Sequence, residues 1–306
     1  MFGRILVPTD FSAPSEAALA HARAFAQTWN SALHLLHVTA ERLTAPHEDG
    51  APAEPAALRE IRDRLVHEDR SRSLTTRVVE RTAPADAILT YANTADIDLI
   101  VMGTHGRTGV AHLLMGSVAE TVVRGAPCPV LTVQHEPAAA ATFRRILVPT
   151  DFSGPSDAAL DYARLLQRRF GASVHLLHVL DDEQIAGPFG AEVFVTQPPE
   201  ARAARLRDAR ERLSHRVTGA DQSSGRLTSE AFFGPVAKTI VDYAGDNGFD
   251  LILMGTHGRT GLAHLLIGSV AEHVIRGAAC PVMTTHGKRL CADVVVGAPG
   301  AVATVA

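Results

Sequence analysis

The sequence carries little net charge and very little lysine. Of its 306 residues, 29 are lysine or arginine, yet lysine occurs only at Lys238 and Lys288, and the formal net charge is −4. A protein that binds nucleic acid or an anionic membrane through charge needs a basic surface. We therefore expect neither a nucleic acid nor a membrane among the partners of this chain.

Cysteine and long apolar runs are also scarce. The three cysteines, Cys128, Cys280 and Cys291, are too scattered for a disulfide framework or a paired-cysteine metal site. No apolar stretch approaches the roughly 18 residues that a membrane-spanning helix needs. The opening MFGRILVPTD leads directly into a strand-like run, without the basic and apolar regions of a signal peptide. These absences predict a cytoplasmic protein.

Repetition is the dominant positive feature of the sequence. The segment RILVPTDFSAPSEAAL from Arg4 returns as RILVPTDFSGPSDAAL from Arg145, and the glycine-rich MGTHGRTG from Met102 also has a later copy. The separation between copies is larger for the second pair, so the second copy contains an insertion, between Leu180 and Pro235. A repeat of this length predicts a duplicated domain rather than a solenoid.

Strand-like and helix-like segments alternate within each copy. In the first copy, RILVPT, ALHLLHV, TRVVE, DLIVMG and PVLTV are short apolar runs separated by helix-like stretches. Ser12 is placed to cap the first helix, with Pro14 in its first turn. This alternation predicts an α/β fold in which helices cover both faces of a five-stranded parallel sheet. Strands that are apolar nearly throughout agree with burial on both faces.

The domain boundaries follow from the repeat. We predict domains at residues 1–135 and 145–286, a Pro/Ala linker at 136–144 and a flexible tail at 287–306. The insertion in the second copy contains three prolines, and we interpret it as a long loop. It is either a lid over a site or a tolerated surface insertion.

The glycine loop predicts a phosphate site. In an open parallel sheet, ligands bind beyond the carboxyl ends of the strands where the strand order reverses, and with order 3-2-1-4-5 the PTDFS and GTHGRTG loops meet there. Gly103 and Gly106 permit a turn whose amides point inward. Ser117 and Glu120 have the spacing of a capping box, and the free amides of such a helix start can bind phosphate, with Gly116 allowing close approach. The alternative is a capped helix that binds nothing.

Asp10 and Asp151 directly follow the first strand of each copy. Each carboxylate can accept from ribose hydroxyls or hold a phosphate-bound Mg²⁺. The simpler interpretation is an acid that is favourable at a helix N-terminus. Arg107 and Arg259 in the glycine loops can reach outer phosphates or lie in solvent, and the sequence leaves that open.

The histidines do not indicate a metal site. His105 and His257 lie in the glycine loops, but no histidine has a tight metal-ligand spacing. His37 and His178 lie in strand-like runs, where we expect them to be hydrogen-bonded core residues.

The combination of ILVPTDFS with DLIVMGTHGRTG and LLMGSVAE resembles the universal stress protein family. The resemblance covers most of residues 1–286, and the glycine spacing that ends in serine is similar to that of the ATP-binding branch. It implies two tandem Rossmann-like (adenine nucleotide alpha hydrolase-like) domains with strand order 3-2-1-4-5. It also implies an adenine nucleotide in each domain: ATP, or else ADP or AMP, with Mg²⁺.

The resemblance further implies which residues contact the nucleoside, the adenine and the phosphates. In the first copy they are Pro8, Thr9, Asp10, Val38, Met102, Gly103, Gly106, Arg107, Gly116, Ser117 and Val118. In the second copy they are Pro149, Thr150, Asp151, Val179, Met254, Gly255, Gly258, Arg259, Gly268, Ser269 and Val270. The domains are implied to pair through their last strands, Val130–Val133 and Val282–Thr285, which would otherwise be exposed edges, and two chains to associate further as a homodimer.

Three functional hypotheses remain open from the sequence. The leading one is an ATP-binding stress or signalling protein that senses rather than catalyses, since we find no placed general base and no P-loop ending. A second is a slow ATPase or self-phosphorylating enzyme of the same fold. The third is an interaction scaffold whose nucleotide sites are vestigial.

Overall fold

The computed structural model describes most of both domains. The described residues are 2–39, 55–68, 74–80, 82–104, 115–134, 143–181, 184–186, 192–194, 198–217, 221, 225–256 and 267–286. Most of the predicted linker and all of the predicted tail lie outside them.

Each half of the chain forms a five-stranded parallel sheet. The first-domain strands are β1 (Arg4–Pro8), β2 (Ala32–Thr39), β3 (Leu74–Glu80), β4 (Leu99–Gly103) and β5 (Val130–Val133). The second domain contains β6 (Arg145–Pro149), β7 (Ser173–Leu180), a separate antiparallel pair β8 (Gln184–Ala186) and β9 (Glu192–Phe194), then β10 (Leu227–Phe233), β11 (Leu251–Gly255) and β12 (Val282–Thr285). The strand orders β3-β2-β1-β4-β5 and β10-β7-β6-β11-β12 confirm the predicted 3-2-1-4-5.

Eight described helices cover the two faces of the sheet. They are α1 (Ala13–Trp29), α2 (Ala56–Glu68), α3 (Pro84–Thr94), α4 (Ser117–Gly125), α5 (Gly154–Phe170), α6 (Pro199–Ser214), α7 (Val236–Asp246) and α8 (Ser269–Gly277). α1, α2, α5 and α6 pack on one face, and α3, α4, α7 and α8 pack on the other. Within the described residues, every helix is too short or too polar to cross a bilayer.

The insertion differs from the predicted loop because part of it is a hairpin. Gln184 pairs with Phe194, and Ile185 pairs with Val193, in antiparallel register. The short run EVFV has the β-branched and aromatic residues that favour strands. The neighbouring prolines and glycines dominated the sequence pattern and concealed it.

The two sheets join edge to edge through β5 and β12. These strands pair antiparallel, producing one ten-stranded sheet. The Oγ1 of Thr132 donates to the Val282 carbonyl at 3.0 Å, and the Oγ1 of Thr284 donates to the Val130 carbonyl at 3.4 Å. Because pairing is parallel within each domain and antiparallel between them, the carboxyl edges of the two domains face opposite ways.

Buried aromatic rings join the domains on the face of α1 and α5. Phe2, just before β1, stacks on Tyr162 of α5 with ring centroids 6.1 Å apart. Phe143, just before β6, stacks on His21 of α1 at 5.8 Å. The same contact is thus made twice in opposite directions, and Phe25 packs 5.8 Å from Phe143. Such rings bury a large apolar area at a domain interface.

Candidate functional site

The turn after β1 fixes the orientation of Asp10. Its Oδ1 accepts hydrogen bonds from the Ser12 amide at 3.1 Å and the Ser12 hydroxyl at 2.6 Å. The Oγ1 of Thr9 accepts from the Phe11 amide at 3.1 Å and lies within hydrogen-bond distance of Ser15 Oγ, at 3.2 Å. The turn therefore holds the carboxylate through its own side chains, as a preorganised binding group requires.

Phe11 has a backbone conformation that is uncommon for an aromatic residue. Its φ is 65°, and the left-handed region costs an L-residue about 1–2 kcal/mol. His37 of β2 stabilises this turn, because its Nδ1 lies 2.8 Å from the Thr9 carbonyl oxygen and its ring lies 4.5 Å from that of Phe11. His37 is thus hydrogen-bonded, as expected, but it is half-buried rather than part of the core, and it also supports the turn that presents Asp10.

The second domain repeats these contacts in its own turn. Asp151 Oδ1 accepts from the Ser153 amide at 3.0 Å and the Ser153 hydroxyl at 2.5 Å. Phe152 has a φ of 68°. His178 Nδ1 lies 2.7 Å from the Thr150 carbonyl oxygen, and its ring lies 4.3 Å from the Phe152 ring. The repeated sequence therefore encodes a repeated side-chain network.

The carboxyl group of Asp151 is stabilised in its ionised form. Burial raises its pKa, but hydrogen bonds from Ser153 and Ser156 outweigh that effect and bring the pKa below its ordinary value. Donors directed at a carboxylate favour the charged state. Asp151 is therefore an anionic acceptor at neutral pH.

A cavity of about 250 Å³ lies at the carboxyl edge of the first-domain sheet. Its walls are largely apolar, and the Asp10 turn and the start of α4 contribute its polar groups. The cavity thus lies where the strand order reverses between β1 and β4, as predicted. The lining residues are Pro8, Thr9, Asp10, Ser15, Leu36, Val38, Pro84, Ile88, Met102, Gly103, Thr104, Gly116, Ser117, Val118 and Ala119.

Gly103 has a packing role at the end of β4. A Cβ atom at this position would lie 2.7 Å from the Pro14 Cβ and 2.9 Å from the Pro14 carbonyl carbon. Gly255 stands in the same relation to Pro155, also at 2.7 Å. The start of α1 therefore packs directly against the end of β4, and the start of α5 packs against the end of β11. This packing reason differs from the anion-binding turn predicted for Gly103.

The predicted capping box at α4 is wrong. Gly116, with φ −62° and ψ 143°, is the N-cap, and Ser117 is already the first helical residue, so Glu120 is one position too late to complete the box. Since the N-cap is a glycine, it has no side chain that could cap the helix. The Gly116 amide donates to the Thr104 carbonyl at 2.8 Å. The next residues, whose amides have no partner within the helix, line the cavity.

The same correction applies to α8 of the second domain. Gly268 is the N-cap and has no side chain to cap the helix, and Ser269 is the first helical residue. Glu272 instead forms an ion pair with Arg276 one turn later. A single-position shift of the helix start thus turns the serine from a cap into an exposed residue in the first turn of the helix.

The structure brings together most of the predicted first-domain residues around the cavity. Gly106 and Arg107, and their counterparts Gly258 and Arg259, lie outside the described residues. Sequence reasoning missed Leu36, Pro84 and Ile88, which form much of the apolar wall. Pro84 and Ile88 lie one turn apart on α3, and a local pattern does not indicate which helix face meets the site.

The second domain has nearly the same set of residues. At positions equivalent to the cavity lining, every residue type is repeated except Pro84, where Val236 stands. The repeated residues that were predicted and described are Pro149, Thr150, Asp151, Val179, Met254, Gly255, Gly268, Ser269 and Val270.

These observations define a class: a duplicated, doubly wound α/β protein with a cleft at the strand-order reversal of its first domain and the same residues in its second. The model of the universal stress protein family matches residues 1–134 and again residues 142–286. The chain therefore belongs to that family.

Individual relatives agree with this assignment. The chain is 33% identical over 146 residues to universal stress protein MJ0531 of Methanocaldococcus jannaschii. This alignment covers 46% of this chain and 81% of the relative. The chain is 26% identical over 302 residues to universal stress protein Rv2005c of Mycobacterium tuberculosis, covering 92% and 96%. A universal stress protein structure from Archaeoglobus fulgidus has a TM-score of 0.62 at 22% identity, covers 94% of this chain and 99% of that one, and shows the shared fold.

Proposed function

We propose that the protein binds an adenine nucleotide in each of its two domains, with ATP as the first candidate. The observation that carries this proposal is the first-domain cavity, where an apolar wall, an oriented carboxylate and a helix start with a glycine N-cap meet. A base, a ribose and a phosphate chain need these three surfaces in one cleft. The repetition of the lining residues supports a second site.

Each surface has a role in this proposal. Val38 and Ile88 contact the base, and Asp10 accepts hydrogen bonds from the ribose hydroxyls. The first amides of α4 and the Ser117 hydroxyl bind phosphate, and Gly116 leaves room for its approach. Arg107 and Arg259, with Gly106 and Gly258, are proposed for the outer phosphates. In the second domain the corresponding roles fall to Val179, Ile240, Asp151, Gly268 and Ser269.

Mg²⁺ can accompany the nucleotide without a cage of protein ligands. The described residues contain no group of three or more His, Cys, Asp or Glu side chains that could hold a metal ion. The carboxylate of Asp10 is already engaged by Ser12. Mg²⁺ commonly binds substrate phosphates through one or two carboxylates and retained waters. We therefore propose that Mg²⁺ binds mainly through the ATP phosphates.

The role we assign is nucleotide-dependent stress response or signalling rather than efficient catalysis. Membership of the universal stress protein family supports the stress-response part of this role. Several features stay predictions. They are the independence of the domains at residues 1–135 and 145–286, their pairing in solution, a homodimer of two chains and a cytoplasmic location.

The first test measures bound nucleotide directly. The purified protein is denatured, and the released nucleotides are identified and counted by chromatography, followed by titration of nucleotide-free protein with Mg-ATP. We expect two adenine nucleotides per chain at saturation. No released nucleotide and no uptake of Mg-ATP would overturn the proposal.

A variant pair tests the phosphate assignment. Gly116→Val with Gly268→Val should abolish binding, because the valine side chains occupy the space before each helix start. Both glycines have extended backbones, with φ near −60° and ψ near 140°, which valine adopts readily. Gly154→Ala is the matched control, since a Cβ there meets nothing within 4 Å and the first copy has Ala13 at that position. Unchanged affinity in the double variant would exclude the phosphate assignment.

A further inference from the structure

Helix α6 and the residues just after it contact the aspartate turn of the second domain. Arg216 Nε lies 2.7 Å from Asp157 Oδ1, and Arg216 Nη2 lies 3.3 Å from Asp157 Oδ2. The same Nη2 donates to the Phe152 carbonyl at 3.3 Å. The Arg216 side chain is 22% exposed and that of Asp157 is 27% exposed. One guanidinium thus connects the first turn of α5 with the residue that follows Asp151.

The ring of Phe152 is covered by cations as well. The guanidinium carbon of Arg212 lies 4.0 Å from the ring centroid, and that of Arg216 lies 4.8 Å from it. His178 also contacts the ring, with centroids 4.3 Å apart. A cation above an aromatic face is attracted to it. Phe152 is therefore held in its left-handed conformation through both its carbonyl oxygen and its ring.

The backbone that carries Arg216 is itself anchored to α5. Arg164 Nη2 donates to the Arg216 carbonyl at 2.5 Å and lies 2.8 Å from Asp221 Oδ2. Asp221 is 8% exposed. A partly buried, multiply bonded guanidinium of this kind is held in one geometry, unlike a solvated arginine.

We propose that Arg216 is a positioning residue for Asp151 in the second nucleotide site, an inference that rests on the proposed function. Phe152 directly follows Asp151, and its amide donates to Thr150 Oγ1 at 3.0 Å. Because Arg216 fixes the Phe152 carbonyl and ring, it fixes the peptide that orients the Asp151 carboxylate. Arg216 thus acts on ribose recognition without touching the nucleotide.

The test compares two nucleotides at the second site. In a Gly116→Val background, which leaves the second site intact, affinities for ATP and for 2′,3′-dideoxy-ATP are measured by calorimetry. Arg216→Gln should raise the Kd for ATP about tenfold, the low end for lost outer-sphere positioning, and change the Kd for the dideoxy nucleotide far less. Arg216→Lys, which retains the charge but not the planar fork, should fall between. Arg210→Gln, at an exposed arginine of α6, should change neither.

The controls separate a positioning role from a structural one. In a Gly268→Val background, Arg216→Gln should leave first-site ATP binding unchanged, which also reports that the protein is folded. Equal weakening of ATP and dideoxy-ATP, or no weakening of either, overturns the role of Arg216. If the wild-type protein takes up no ATP, the proposed function fails and this inference with it. If the protein binds ATP more tightly than dideoxy-ATP and Arg216→Gln keeps that difference, only the role of Arg216 fails.

Discussion

In the first domain Thr9 and His37 are half-buried, whereas their second-domain counterparts Thr150 and His178 are 6% and 8% exposed. The hydrogen bonds to the two aspartates are the same, so the difference in exposure lies in what surrounds the turns. In the second domain α6 brings Arg212 onto the turn. Duplication has thus kept the chemistry of the turn, while residues distant in sequence determine how far it is enclosed.

The interface between the domains shows a second difference. Phe2 stacks on Tyr162, and in the symmetry-related contact Phe143 stacks on His21. His21 is 4% exposed, and its Nδ1 has no hydrogen-bond partner within the described residues. The His21 half of the interface therefore contains a ring that can gain a proton in acid, whereas the Tyr162 half does not.

The largest effect is expected from removing the ring at the centre of the interface. Phe25 is fully buried and contacts Phe143 and Phe170 of the other domain. Phe25→Ala should lower the free energy of unfolding by about 3–5 kcal/mol, measured by urea denaturation. Phe25→Leu, which introduces the residue at the equivalent position Leu166, should cost clearly less. Equal losses would show that ring packing does not stabilise this interface.

Acid should weaken the His21 half of the interface selectively. Burial lowers the pKa of His21 from 6.5 to about 4, so the folded state prefers the neutral ring. This contribution is complete above pH 6.5 and is lost as pH falls toward 4, a loss of about 3 kcal/mol at 1.36 kcal/mol per pKa unit. His21→Phe should remove that part of the pH dependence.

Tyr162 supplies the control for this experiment. Burial raises its pKa to about 12, so Tyr162→Phe should leave the pH dependence between pH 7 and 4 as it is in the wild type. Parallel stability profiles for wild type and His21→Phe would contradict the assignment to His21.

Matched glycine substitutions test whether the two domains tolerate the same strain. Gly103→Ala and Gly255→Ala each place a Cβ 2.7 Å from a proline Cβ. Each should cost about 1–3 kcal/mol, as overpacking does, and the two losses should be similar. Thermal unfolding of both variants measures this. A much smaller loss in one domain would show that its first helix can move away from the sheet.

The smallest effect is expected at the two helix N-caps. The hydroxyl of Ser153 accepts from the Ser156 amide, whereas the Ser12 hydroxyl makes no such capping bond. Ser153→Ala should therefore cost about 1 kcal/mol, and Ser12→Ala less. Since each serine also donates to the neighbouring aspartate, both variants should weaken nucleotide binding. Equal stability losses would mean that the capping bond contributes little.

The sequence alone predicted the duplication, the strands of the ten-stranded sheet and the fold class. These features depend on local periodicity, as in the apolar runs of β1 and β4, and on a repeat that can be read directly. It also located the Asp10 turn, because that turn is bonded within itself.

The rest depended on contacts between residues distant in the chain. Gly103 is fixed by Pro14, the turn at Asp151 is supported by Arg216, and Pro84 enters the cavity from α3. The N-cap of α4 at Gly116 rather than Ser117 was also decided by the fold, since the Gly116 amide donates to the Thr104 carbonyl at the end of β4. No local pattern reports which distant atoms will meet, and that is a property of the packed structure.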